Sequence, residues 1–200
     1  MEIFCELESL ADASILRLTG DQTNRLTRAR VIALTKAVQQ LAGSRDNKAL
    51  ILTGNEHLFS DGADLNEVAA LTGPMAYIFS AMGQALMNAV ATFPAPTFAA
   101  VRGYCMGGGL DLAIACRHRI AHPNAVFGHR GAALGLITGW GGTQRLPRLV
   151  GKARALEMFV AAEKLHAKQA LEIGLIDAIS DDPVADALRR TTTKSRSLEA

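Results

Sequence analysis

Two apolar runs, Ala49–Thr53 and Thr97–Val101, each lead into a glycine-bearing loop and then into a helical stretch. A short run without polar alternation reads as a strand covered on both faces. The first loop, Gly54 to Asp64, ends where a helix opens at Asp64, with Glu67 three residues on in capping-box spacing. The second loop carries Gly107, Gly108 and Gly109 ahead of the helical stretch Leu110–Cys116. Glycine lets a backbone approach a ligand closely, because no Cβ stands in the way. The first N–H groups of a helix have no intrahelical partners and lie at the positive end of its dipole. Such a junction suits a phosphate, a carboxylate or a developing oxyanion. A tight turn with close packing is the competing use of the same glycines.

Around these units the chain alternates strand and helix, the rhythm of a layered α/β domain. Glu2–Leu7 and Ala13–Leu18 read as strands about the turn Ser9–Asp12. Asn24 is placed to cap a helix over Arg25–Gly43, where Leu34, Ala37, Val38 and Leu41 recur at helical spacing. Pro74–Val90 reads as a second long helix with proline in its first turn. Arg119–Ala121 and Val126–Phe127 read as short strands around His122–Asn124, followed by a glycine-rich loop from Gly128 to Gly142. Lys152–Ala162 and Ala167–Ile173 read as helices, and Leu175–Ile179 as a last strand. From Arg189 the basic residues Arg190, Lys194 and Arg196 show no apolar periodicity, so a frayed, solvated end is expected. A core domain over 1–180 with a short tail over 181–200 follows.

Composition narrows the function. Hydrophobic residues at 49% and charged residues at 20% are ordinary for a soluble globular chain. A net charge of +2 argues for no polyanionic partner, and 5% aromatics are too few for a base-stacking platform, so no nucleic acid is expected. Cys5, Cys105 and Cys116 are widely spaced without a CxxC pattern, which disfavours a disulfide framework or a zinc site and favours a reducing compartment. The acidic start (Glu2, Glu6, Glu8) lacks the pattern of a signal peptide. The longest apolar stretch, Ala89–Val101, is too short to span a bilayer and contains Pro94 and Pro96. A cytoplasmic location is expected, with no metal and no redox cofactor.

Several ordered motifs resemble one family. Leu52-Thr53-Gly54 through Phe59-Ser60-Asp61-Gly62-Ala63-Asp64-Leu65, then Val101-Arg102-Gly103-Tyr104 through Gly107-Gly108-Gly109-Leu110-Asp111-Leu112, resemble the two CoA-binding and oxyanion loops of the crotonase (enoyl-CoA hydratase/isomerase) superfamily. Gly139-Trp140-Gly141-Gly142-Thr143-Gln144-Arg145-Leu146 resembles its downstream signature, and Ala167–Ile179 its closing helix and strand. The resemblance covers roughly residues 10 to 180. It implies an α/β fold, a crotonase-like spiral of ββα units, whose C-terminal helical region is short or missing here. It also implies an acyl-CoA substrate, with coenzyme A entering only as part of it, and a homo-oligomer of three or six copies.

Carried over residue by residue, the resemblance puts the oxyanion donors on the N–H groups of Ala63 and Gly108. It puts one acid–base position on Asp111, a carboxylate one methylene shorter than the glutamate of the hydratases. The second acid–base position falls on Gly131, in Phe127-Gly128-His129-Arg130-Gly131, which has no proton to move. The same loop offers His129 as a general acid–base group and Arg130 as a partner for a second carboxylate on the acyl group. Substrate contacts fall on His57, Asp64, Leu65, Tyr104, Arg130, Gly131 and Trp140. Plainer uses stand beside each: Asp64 as a helix cap, Asp111 as an acid in a first helical turn, His57 and His129 as surface or satisfied residues, Tyr104 and Trp140 as packing. The expected activity is hydration or double-bond isomerisation of a 2-enoyl thioester through a stabilised enolate. An acyl-CoA-binding protein without efficient catalysis, or a decarboxylase or hydrolase of the same superfamily, are the alternatives.

Overall fold

The structure is a computed structural model and describes residues 4–46 and 48–196. The chain runs β1 (Cys5–Ser9), β2 (Ala13–Leu18), α1 (Arg28–Ala42), β3 (Ala49–Thr53), α2 (Leu65–Ala69), α3 (Gly73–Ala91), β4 (Thr97–Val101), β5 (Tyr104–Met106) and α4 (Gly108–Ala115). It continues through β6 (His118–Ala121), β7 (Val126–Gly128), a 3-10 turn over Gly131–Leu134, α5 (Gly142–Val150), α6 (Lys152–Val160), β8 (Leu165–His166), α7 (Ala167–Glu172), β9 (Ala178–Ile179) and α8 (Pro183–Arg196).

Six strands form the main sheet in the order β1-β2-β3-β4-β6-β9, with β1 antiparallel to β2 and the remaining pairs parallel. A small second sheet, β5-β7-β8, stands beside it. Successive side chains of a strand face opposite ways. Leu50, Leu52, Ala99 and Val101 accordingly join the core shared with Leu34, Leu86 and Leu110 of α1, α3 and α4. Ala49, Ile51, Phe98 and Ala100 join a second cluster on the other face. Both faces are covered, which is why β3 and β4 read as unbroken apolar runs.

The cover of the second face corrects the reading of the C-terminus. The end expected to fray from Arg189 is part of a helix, α8 (Pro183–Arg196), and Val184, Ala187 and Leu188 of that helix pack on the cluster of Phe98 and Ile120. Their spacing puts them on one side of the helix, while Arg189 and Arg190 reach Asp186 on its outer side. Residues 197–200 lie outside the described residues, as does the start of the strand read from Glu2.

Asn24 does not cap α1. The helix opens three residues later, where Thr27 Oγ1 accepts from Arg30 N at 3.2 Å. Asn24 is buried with φ +46, and its Nδ2 donates to the carbonyls of Leu58 and Phe59 at 3.3 and 3.2 Å. It ties the start of α1 to the first glycine loop. β6 and β7, adjacent in the chain, are not a hairpin: β6 pairs with β4 in the main sheet and β7 with β5 in the small one. Among the described residues no helix is long and apolar enough to cross a membrane.

Candidate active site

The two glycine loops meet. Phe59 N and Ser60 N donate to Tyr104 O at 3.0 and 3.1 Å, and Met106 N donates back to Ser60 O at 2.9 Å. Ser60 Oγ, fully buried, donates to Asn24 O at 2.8 Å and accepts from Gly62 N at 3.1 Å. Gly107 N donates to Gly128 O at 2.9 Å, so β7 holds the second loop from its other side. The approach is close enough to demand glycine. Gly62 has φ +93, and a Cβ there would lie 2.7 Å from Met106 O and 3.1 Å from Gly108 N.

A Cβ at Gly108 would in turn lie 3.5 Å from Ala63 N, which puts the Ala63 and Gly108 amides side by side. Gly108 is the first residue of α4, where an N–H has no intrahelical partner. Among the described residues neither amide donates to a protein acceptor. Both border a cavity of about 520 Å³. Its walls are chiefly apolar, with Leu65, Val68, Phe79, Leu136 and Ile137 among them.

Asp111 and His129 border the same cavity, both almost fully buried. Asp111 Oδ2 accepts a hydrogen bond from the Thr138 hydroxyl. Asp111 Oδ1 lies 3.2 Å from His129 Nε2, off the line of a hydrogen bond, and among the described residues neither atom has a hydrogen-bond partner. The His129 ring is tilted against Phe159 with centroids 5.2 Å apart. Gly142, the first residue of α5, closes the pair in: a Cβ there would meet Asp111 Oδ1 at 2.1 Å and His129 Nε2 at 3.1 Å. One turn further along α5, burial lowers the Arg145 pKa while the Asp111 charge opposes that shift. Burial also pushes up both thiols that bracket α4, Cys116 to about 12 and Cys105 well above its ordinary value.

Of the other residues singled out in the sequence, Leu65, Arg130, Gly131 and Trp140 line the cavity. Arg130 is exposed at its rim and makes no ion pair among the described residues. A Cβ at Gly131 would meet Leu136 O at 2.7 Å. The Trp140 ring is buried; its Nε1 donates to Phe79 O at 3.3 Å. His57, Asp64 and Tyr104 are outside the cavity wall. The His57 ring is exposed beside Glu56, 3.3 Å away. Tyr104 is half exposed, with Lys164 Nζ 5.2 Å from its ring centroid, because β5 turns that side chain outward and buries Cys105 instead. Asp64 caps α2: Oδ1 accepts from Asn66 N and Glu67 N at 2.9 and 3.1 Å. Those bonds, with the Arg25 side chain, hold its carboxyl below the ordinary range. Glu67 leaves the capping box open and accepts from Arg28 N of α1 at 2.7 Å. Thr138 and Gly142, which touch Asp111, carry no signal of that role in the sequence, since the contacts form only when distant segments meet.

This chain belongs to the enoyl-CoA hydratase/isomerase family, which it matches over residues 12–197. A probable enoyl-CoA hydratase of Bacillus subtilis is 36% identical over 170 residues, or 84% of this chain. That match takes in 66% of the relative, so the chain spans just under two thirds of its length. Among solved structures, DspI of Pseudomonas aeruginosa matches with a TM-score of 0.92 at 33% identity, over 96% of this chain and 75% of that one. Enoyl-CoA hydratase from Bacillus anthracis matches at 0.90 and 31% identity, over 96% and 76%. The crotonase fold implied by the glycine loops is therefore the one observed.

Proposed function

We propose that the cavity holds an acyl-CoA thioester and that the chain hydrates or isomerises a 2-enoyl group through an enolate. The observation that carries this reading is the pair of unpartnered amides, Ala63 and Gly108, beside a buried carboxylate. The thioester carbonyl oxygen accepts from both N–H groups. Negative charge gathers on that oxygen when water adds at Cβ or when a proton leaves Cα. Fixed backbone donors need no reorganisation at that moment, and each is worth about 3 kcal/mol.

Asp111 is the acid–base group that moves the proton at the carbon chain, with His129 as its neighbour in that work. Gly131 stands in for the second carboxylate of the hydratases, so Asp111 and His129 carry all of the proton transfer. Coenzyme A takes part only as a portion of the substrate. The same reading includes a homo-oligomer of three or six copies in the cytoplasm, which a mass measurement in solution and fractionation check.

Gly131 also favours a second reading, thioester binding without efficient turnover. Loss of the conjugated-thioester absorbance of crotonyl-CoA separates the two, with Asp111→Asn as the control. Turnover that vanishes in the variant supports the catalytic reading. A folded chain that binds crotonyl-CoA and a panel of longer 2-enoyl thioesters without converting any of them supports the second and overturns the first.

A further inference from the structure

Thr138 sits where an anchored backbone meets an apolar wall. Directly after it, Gly139 O accepts from Ser80 Oγ and Gln84 Nε2 of α3, at 2.9 and 2.8 Å. Directly before it, Leu136 and Ile137 are exposed by 42% and 71% and form part of the cavity lining. That stretch leaves a 3-10 turn, with Gly135 N donating to Ala132 O and Leu136 N to Gly131 O. Apolar side chains left open at a cavity wall gain from contact with an apolar ligand.

The Thr138 hydroxyl has one direction available for its proton. Its oxygen accepts from Trp140 N at 3.4 Å, and the hydroxyl donates to Asp111 Oδ2. A hydroxyl bonded to an ionised carboxylate makes a strong, directional bond. It fixes the rotation of the Asp111 carboxylate and thereby sets Oδ1 against His129 Nε2. Gly142, having no Cβ, lets α5 lie close against Oδ1, where a Cβ would fall 2.1 Å from it.

We propose that Thr138 is a positioning residue that couples the apolar wall to the acid–base pair. An acyl chain long enough to lie on Leu136 and Ile137 seats the segment, and the seated hydroxyl orients Asp111 toward His129. This rests on the acyl-thioester reading and deepens it: the favoured substrates are thioesters with a medium or long apolar acyl chain. Chain length then acts on kcat more than on KM, because binding far from the reacting carbons is used to align the group that moves the proton.

The test reads the His129 imidazole directly. Its ¹⁵N signals, assigned with His129→Gln, are recorded for the whole chain alone, with butyryl-CoA and with decanoyl-CoA, neither of which carries a double bond to hydrate. Decanoyl-CoA is expected to shift the signals and butyryl-CoA to leave them near their ligand-free positions. Thr138→Val is expected to move the ligand-free signals and to abolish the difference between the two ligands; Thr138→Ser restores both. In turnover, Thr138→Val lowers kcat for 2-decenoyl-CoA by about tenfold or more, the scale expected for losing a hydrogen bond to a charged group, and leaves KM within about twofold. Equal shifts from both ligands, or Val and Ser variants that behave alike, overturn the coupling. If neither thioester binds, the acyl-thioester reading falls and the coupling falls with it. The ligand-free signals of Thr138→Val then still report whether the hydroxyl orients Asp111. If the signals respond as expected but no 2-enoyl thioester is turned over, the coupling stands and the catalytic reading falls.

Discussion

Asp64 and Asp111 occupy comparable places, each near the start of a helix that follows a glycine loop on a buried parallel strand. Their fates differ. Asp64 is the N-cap of α2, and its side chain is taken up by the N–H groups of its own helix. At α4 the N-cap is Gly107, with φ +49, and no side chain caps it. Asp111 arrives within the first turn instead, its own N–H bonded to Gly107 O at 3.0 Å, and its carboxylate is left for Thr138 and His129. The same residue type is taken up by its own helix in one loop and lies buried at the cavity wall in the other. The deciding factor is whether glycine or aspartate holds the cap.

Exchanging the carboxylates for amides or methyl groups puts this contrast at its sharpest. Asp111→Asn is expected to lower kcat by about a hundredfold or more while the chain stays folded, the scale on which positioned acid–base groups act. Asp64→Ala should leave kcat within about twofold, since this carboxylate caps its own helix and lies outside the cavity wall. Similar losses of turnover in both variants would erase the distinction. Gly142→Ala comes next, because its methyl group would enter the space of Asp111 Oδ1. A stability loss of about 1–3 kcal/mol is expected by denaturant unfolding, together with slower turnover. Gly73→Ala, in the first turn of α3 with nothing within 4 Å, is the neutral companion.

Smaller again is the stability of the Asp64 cap, about 1 kcal/mol by comparison with other caps. Its carboxyl is held below the ordinary range, so the contribution is present above the unfolded value and disappears as pH falls through the folded one. Wild type and Asp64→Ala should therefore converge in acid unfolding curves. The smallest effect is at the thiols beside α4. Cys105 and Cys116 flank α4, and burial raises both. Burial raises Cys5 as well, yet alkylation at about pH 8 should label this half-buried thiol well before the two buried ones, which a reagent reaches only when the chain opens. Their protonated state favours the folded chain, so stability should decline as pH rises from about 9 toward 12.

The strands β3 and β4 and the helix α3 could be read from the chain because local pattern suffices for them: an unbroken apolar run for a strand covered on both faces, and proline in a first turn. β5 could not, being three residues long with its partner β7 more than twenty residues away. α5 hides behind Gly141 and Gly142 and carries Pro147 inside it. The basic residues of α8 masked the spacing of Val184, Ala187 and Leu188, which matters only once the second sheet face is known to need a cover. Within the site, the glycine junctions are legible in the chain itself, Ala63, Gly108 and Asp111 are singled out only through the family resemblance, and His129 as a titratable residue in the loop that the resemblance aligns. The Thr138 hydroxyl is singled out by neither, because its bond to Asp111 spans 27 residues and depends on where Ser80 and Gln84 hold Gly139.

Trp140 has a consequence for how such a chain can change over generations. Its ring occupies the volume that a Cβ would need at Gly83, 2.1 Å away, and at Gly108, 2.4 Å away. Positions 83, 108 and 140 therefore behave as a single inherited choice rather than three. A side chain at 83 or 108 becomes tolerable only after the indole has been exchanged for something smaller. Exchanging it alone would leave a void beside the Gly108 amide, at a cost of about 3–5 kcal/mol for a tryptophan cut back to alanine. Drift at these sites is expected to be correlated, with a small residue at 140 accompanying any departure from glycine at 83 or 108.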